Sequence, residues 1–172
     1  MSLEDENHRP RKKLVWTAAA IILISLIAFA VVYVNISNTL NSALFRLLST
    51  FDLERVTYPS VTANAIDVNI TFLIRNPTSY TARINTITLS FWVNDIDIES
   101  IDVDPEQDLP PGEEGFFYFF PHVTDDRVLT SFNNRTYQLT VKGTIRASTG
   151  YFAFGASRNR DIDALKQVNG TM

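Results

Sequence analysis

Leu14 to Val34 reads LVWTAAAIILISLIAFAVVYV, 21 consecutive residues without a charge. As a helix rising about 1.5 Å per residue it reaches about 31 Å, the thickness of a bilayer's hydrocarbon core. Trp16 and Tyr33 sit near its two ends, where amphipathic rings favour the membrane–water boundary. A cleaved signal peptide also joins a basic region to an apolar run, but its core is shorter, and no small-x-small site closes this one. The segment therefore reads as an uncleaved signal-anchor, a single transmembrane helix over 14–34.

Arg9, Arg11, Lys12 and Lys13 lie directly before the run, whereas the next basic residue after it is Arg46. The positive-inside rule then makes 1–13 a cytoplasmic tail and places the rest of the chain outside the cell membrane. Charge divides along the same line. The tail holds four basic residues against three acidic ones, and everything after Val34 holds 11 against 16. An acidic exposed region repels phosphate backbones, so nucleic acid is not an expected partner; the lipid bilayer is. The chain has no cysteine. That excludes a disulfide scaffold, a thiolate metal site and a cysteine nucleophile, and with one compact domain it leans toward an archaeal envelope.

Beyond the anchor, Ile36, Leu40, Ala43, Leu44, Leu47, Leu48 and Phe51 recur at helical spacing. They predict that the anchor helix continues, or restarts, as a short amphipathic stalk helix over 35–51. Its apolar face has three possible resting places: the bilayer, the underside of the next domain, or a partner helix.

After Phe51 the period becomes two. Ile66, Val68, Ile70, Phe72 and Ile74 alternate with Asp67, Asn69, Thr71, Leu73 and Arg75, and Ile87, Leu89, Phe91 and Val93 repeat the pattern. Further strands are expected at 53–58, 96–103, 114–121, 136–147 and 151–158. Turn signals separate them at Asn76-Pro77, Asn94-Asp95, Pro110-Pro111-Gly112, Asn133-Asn134 and Gly150. A short helix is expected over 125–132. The fold class is all-β: an antiparallel sandwich of about seven strands, immunoglobulin- or fibronectin-like, over 52–163, followed by a tail at 164–172.

Pro77 cannot donate to a strand ladder, and Asn76 can bond nearby backbone, so this pair is a fold-defining turn. AIDVNITFLIRNPTSYTARINTITLSFWVND, with that pair inside it, resembles the late embryogenesis abundant type-two domain, also called the water-stress and hypersensitive-response (WHy) domain. LPPGEEGFFYFF, then Tyr137, Leu139, Val141 and Gly143, then GYFAFGASRNRDI follow in the family's order, so the resemblance covers about 53–163. Thr78 departs from it, standing where plant members often repeat Asn. The resemblance implies a sandwich fold and a stress-protective, non-catalytic role.

Asn35, Asn69, Asn134 and Asn169 each begin an Asn-x-Ser/Thr sequon. Asn35 is too near the membrane, which leaves Asn69, Asn134 and Asn169 as glycosylation candidates. NDIDIESIDVDPEQD holds seven acids from Asp95 to Asp108 but lacks the Gly and distal Glu of a calcium loop. It reads as a solvated strand face, and metal is not expected. A break in its alternation at Glu99-Ser100 suggests a bulge or a turn. The only histidines are His8 and His122, with no nucleophile elbow or phosphate loop nearby, so neither an enzyme nor a cofactor is expected. Phe116 to Phe120 make both faces of one strand apolar. One face fills the core; the other needs the stalk, the membrane or a partner protein as cover. Phe117 and Phe119 are the interaction-surface candidates. The sequence thus describes a non-catalytic, membrane-anchored extracytoplasmic module, a stress-protection or envelope scaffold. The alternative is an accessory subunit that meets a larger membrane complex through its transmembrane and stalk helices.

Overall fold

The computed structural model describes residues 9–62, 64–133 and 136–169. The chain forms two compact units, Met1–Thr39 and Leu40–Met172. Helix α1 spans Arg9–Ser49, 41 residues. Within the first unit Val15 to Val34 are exposed on every side, and this is the one helix among the described residues long and apolar enough to cross a membrane.

The stalk residues continue α1 without a break to Ser49, one of the two forms expected of them. The second unit begins at Leu40, with the last turns of α1 inside it. Leu40, Ala43, Leu44, Leu47 and Leu48 form a buried stripe, and Leu44, Leu47, Leu48 and Phe51 join the same core cluster as the strands. Burying one leucine contributes about 2 kcal/mol, so the stripe belongs to the fold and is not a spacer. Of the three resting places open to it, the face from Leu40 to Phe51 packs against the β-domain.

The strands are β1 (Asp52–Val61), β2 (Ile66–Arg75), β3 (Ala82–Val93), β4 (Ile96–Val103), β5 (Gln107–Leu109), β6 (Glu114–Phe119) and β7 (His122–Val123). Helix α2 (Asp126–Asn133), β8 (Thr136–Tyr151) and β9 (Phe154–Asn169) follow. Every pairing among the described residues is antiparallel. One sheet, A, has the order β1-β2-β6 with β7 also on β2; the other, B, has β4-β3-β8-β9 with β5 also on β3. The two sheets pack as a sandwich. Ile70, Phe72 and Ile74 face Ile87, Leu89, Phe91, Val141 and Ile145 in one core. Phe51 stacks on Phe72 at 4.9 Å, and Phe72 meets Phe119 edge-on at 5.8 Å.

Nine strands among the described residues replace about seven. The additions are β5 and β7, of three and two residues, too short for alternation to register. The expected tail at 164–172 is mostly strand, because β9 pairs with β8 as far as Thr136↔Asn169. β9 is the edge strand of sheet B, and Ala156, Ile162 and Ala164 are its side chains that pack into the core among the described residues.

Candidate functional site

Asn76 stands where β2 ends, and its side chain is buried and fully bonded. Nδ2 donates to the carbonyls of Tyr80 (2.8 Å) and Leu109 (2.7 Å), and Oδ1 accepts from the Thr78 N–H (3.1 Å) and hydroxyl (2.7 Å). That uses both donors and both lone pairs of a carboxamide. Its backbone ties to the Pro-Pro-Gly turn, with Asn76 N–H to Glu113 O at 2.9 Å and Gly112 N–H to Asn76 O at 2.8 Å. Gly112 has φ +80°, which a residue with a Cβ rarely adopts. Two turns far apart in sequence thus form one junction, which binds the end of sheet A to β5 of sheet B. Pro77 lies exposed beside it. Thr78 supplies both bonds to Asn76 Oδ1.

Strand β6 carries the aromatic block, and its two faces are the reverse of the expected assignment. Phe117 and Phe119, the interaction-surface candidates, are buried in the core, within ring contact of Phe51, Phe72 and Phe91. The exposed row is Phe116 (44%), Tyr118 (57%) and Phe120 (65%). Register with β2 sets this, since Phe119 pairs with Ile70 and Phe117 with Phe72, both inward. Glu114 and His122 share the even phase with Phe116, Tyr118 and Phe120, and these two polar residues are the signal that marks it as the outer one. Beside the row, Leu73 and Thr71 of β2 stand opposite Phe116 and Tyr118. Because β6 pairs only with β2, the row lies along a sheet edge.

Polar pairs bound that row. His122 Nδ1 lies 2.6 Å from Asp67 Oδ1, across the β2–β7 register. At the other end Arg75 Nε donates to Glu114 Oε1 at 2.8 Å. The His122–Asp67 pair is an exposed cross-strand contact.

The acidic stretch becomes β4 and the loop after it. Asn94 and Asp95 have φ +50° and +63°, the backbone of a two-residue hairpin turn. The expected bulge is present: Trp92 pairs with Asp97 and Phe91 with Glu99, leaving Ile98 as the extra residue. The strand stays continuous across it, and Asp97, Asp102, Asp104 and Asp108 are exposed. Among the described residues no three His, Cys, Asp or Glu side chains converge as metal ligands would.

Of the sequons, Asn69 lies in the middle of β2, paired through its backbone to Thr57, with Oδ1 out of solvent and unbonded. Oligosaccharide transfer needs an accessible loop, so the outward phase that recommended Asn69 does not give it access. Asn134 and the side chain of Asn169 lie outside the described residues.

Three features escaped the sequence reading. Arg160 Nη1 donates to Leu48 O and lies 3.4 Å from Phe51 O, so a guanidinium of β9 caps the last turn of α1. At Gly143 an added Cβ would stand 1.9 Å from the backbone oxygen of Thr88. Phe152, at the tip of the β8–β9 hairpin, has φ +53° and is 92% exposed. Long-range pairing creates all three, and only the hairpin leaves a trace in the sequence: no acid occurs from Thr140 to Arg160.

Fold and surface together define an antiparallel β-sandwich that carries an apolar N-terminal helix and an aromatic outer row. No family model matches the chain. No curated protein matches its sequence. Solved structures that align with it include a protein from Archaeoglobus fulgidus, at 12% identity over 70% of this chain and 100% of that one, with a TM-score of 0.41. A solution structure from Arabidopsis thaliana aligns at 15% identity over 66% and 80%, with a TM-score of 0.42. The solution structure of a late embryogenesis abundant (LEA) protein aligns at 12% identity over 86% and 87%, with a TM-score of 0.43.

Proposed function

We propose that the chain is a non-catalytic, membrane-tethered β-sandwich of the WHy type, held outside the cell membrane as a stress-protection or envelope scaffold. The observation that carries this is the uncovered helix: Val15 to Val34 are apolar on every side, and all are exposed. A helix of that kind is soluble only in lipid or against other helices. The basic cluster before it sets the direction, with the N-terminus in the cytoplasm. The WHy assignment rests on the four ordered motifs, two of which, the Asn-Pro pair and the Pro-Pro-Gly turn, meet in one junction. Protease added to intact cells should remove the sandwich and spare the first dozen residues; a protected sandwich would overturn the topology.

The exposed row Phe116, Tyr118 and Phe120 favours a second reading, an accessory subunit of a larger membrane assembly. Of the two helices expected to make this contact, the stalk's Leu40–Leu48 face is buried in the domain's own core, which leaves the apolar run of α1 and adds the outer row of sheet A. Size measurement in mild detergent separates the two readings: a lone particle fits the first, a defined large assembly the second.

A further inference from the structure

The β8–β9 hairpin differs in chemistry from the domain that bears it. From Thr140 to Arg160 it holds Lys142, Arg146, Arg158 and Arg160 and no acid, whereas the chain after Val34 is acidic overall. Its tip is the two-residue turn Phe152-Ala153, closed by the pair Tyr151↔Phe154. A turn with positive φ at its first central residue normally uses glycine, and a bulky side chain there is strained. Here that residue is Phe152, 92% exposed. The Tyr151 ring meets it edge-on at 4.6 Å, and Tyr80 meets Tyr151 at 6.0 Å. An aromatic knob is thus held out into solvent on a basic arm.

The direction of the arm follows from contacts inside the same unit. Arg160 reaches Leu48 O, and Arg158 lies over the Phe45 ring at 5.1 Å. Moving from Leu48 to Phe45 along α1 therefore runs the same way as moving from Arg160 to Arg158 along β9. Continued, the first path leads to Leu40 and the second to the tip, about 13 Å beyond Arg158 at strand spacing. Leu40 is joined to the apolar run by residues 35–39 alone, a tether of at most about 20 Å when fully extended. The end of the domain that carries the knob is the end tied to the anchor.

We propose that Phe152 and Tyr151 insert into the lipid interface of the membrane that holds the anchor, with Arg146 and Arg158 against anionic headgroups. This rests on the membrane-tethered reading above. Aromatic rings favour that interface, basic residues near it gain from anionic lipid, and the strained turn presents the Phe152 ring almost wholly to solvent. The occupant is a bilayer surface and not a protein, because the patch is small, convex and basic.

The absence of cysteine makes single-site labelling direct. The full chain is placed in vesicles of phosphatidylcholine, with or without phosphatidylglycerol, containing lipids that carry a quencher on the acyl chain. A polarity-sensitive dye is attached in turn at Ala153→Cys, Ile22→Cys and Asp102→Cys. The dye at 153 should be blue-shifted and quenched, more so with phosphatidylglycerol, and Phe152→Ser in the same background should abolish both effects. The dye at 102 should remain water-like. Quenching at 22 but not at 153 would overturn the insertion while leaving the anchor intact. A blue shift at 153 without quenching would mean a protein contact and would also overturn it. No quenching at 22 would remove the membrane reading itself, and the proposal with it.

Discussion

The outward faces of the two sheets solve the same problem differently. On sheet B the outer groups bond to one another: Ser90 to Ser100 at 2.7 Å, Thr88 to Asp102 at 3.0 Å, Arg146 to Ser157 at 3.2 Å, with Lys142 over the Trp92 ring. On sheet A the polar pairs Asp67–His122 and Arg75–Glu114 stand at the two ends, and between them Leu73, Phe116, Tyr118 and Phe120 lie beside Asn69 and Thr71. An apolar centre inside a polar rim is the anatomy of a contact surface. Away from the β8–β9 tip, sheet B therefore has an outer surface whose groups bond to one another, and sheet A carries apolar area that its own fold does not use.

The largest effect should come from within β6, where the two faces are one residue apart. Phe119→Ala should cost about 4 kcal/mol in denaturant unfolding of the detergent-solubilised chain, because the ring leaves a cavity among Phe72 and Phe91. Tyr118→Ser should change stability by about 0.5 kcal/mol or less, as outward substitutions usually do. Equal losses would show that Tyr118 has a structural duty and would remove the contrast between the sheets.

How far this contrast was legible depends on the strand. In β2 and β3 a polar residue follows nearly every apolar one, so period and phase could both be read. In β6 five aromatics in succession fit both phases, and the reading went to Phe117 and Phe119; the outer phase is marked only by Glu114 and His122 just beyond the block. The long apolar helix and the Asn-Pro turn were legible because each is one local segment with one local consequence. Arg160, Gly143 and Phe152 were not, since what they do depends on partners brought near by the fold.

Two glycines sharpen the comparison next. At Gly143 in sheet B the Cβ would strike backbone, 1.9 Å from Thr88 O and 2.9 Å from the Leu89 Cα. At Gly115 in sheet A it would meet only side chains, the nearest Ile74 Cγ2 at 3.3 Å. Gly143→Ala should cost about 3 kcal/mol and lower Tm by about 10 °C, whereas Gly115→Ala should stay under about 1 kcal/mol. A reversed order would mean that sheet B has more slack than its bonded surface suggests.

The junction between the sheets comes third. Asn76→Ala strips the carbonyls of Tyr80 and Leu109 of their side-chain donor in a buried setting. It should cost about 2 kcal/mol. Asn76→Asp should cost at least as much, because it removes the same donors and buries a charge. If unfolding then proceeds in two steps, the sheets are separable units joined at this point; a single transition at lower denaturant keeps them one cooperative core.

The smallest effect belongs to α2, which carries the chain from sheet A to sheet B. Asp125 caps it, with Oδ1 accepting the Arg127 N–H at 2.9 Å and its own carbonyl accepting from Val128 and Leu129. The Arg127 side-chain hydrogen bond, aided by that backbone N–H, holds the Asp125 carboxyl at about 2 against an ordinary 3.8. A carboxylate with a lowered folded-state pKa stabilises the fold above its unfolded value and loses that contribution as pH falls through the folded one. Amide protection at Val128 and Leu129 should therefore be flat above about pH 4 and should fall between about pH 4 and 2, while the amides of β3 and β8 hold. Asp125→Asn keeps a capping oxygen without the charge, so its profile over that interval should be level. If the two proteins trace the same curve, the acid sensitivity arises elsewhere, and the crossover is held by the burial of Val128 and Leu129 alone.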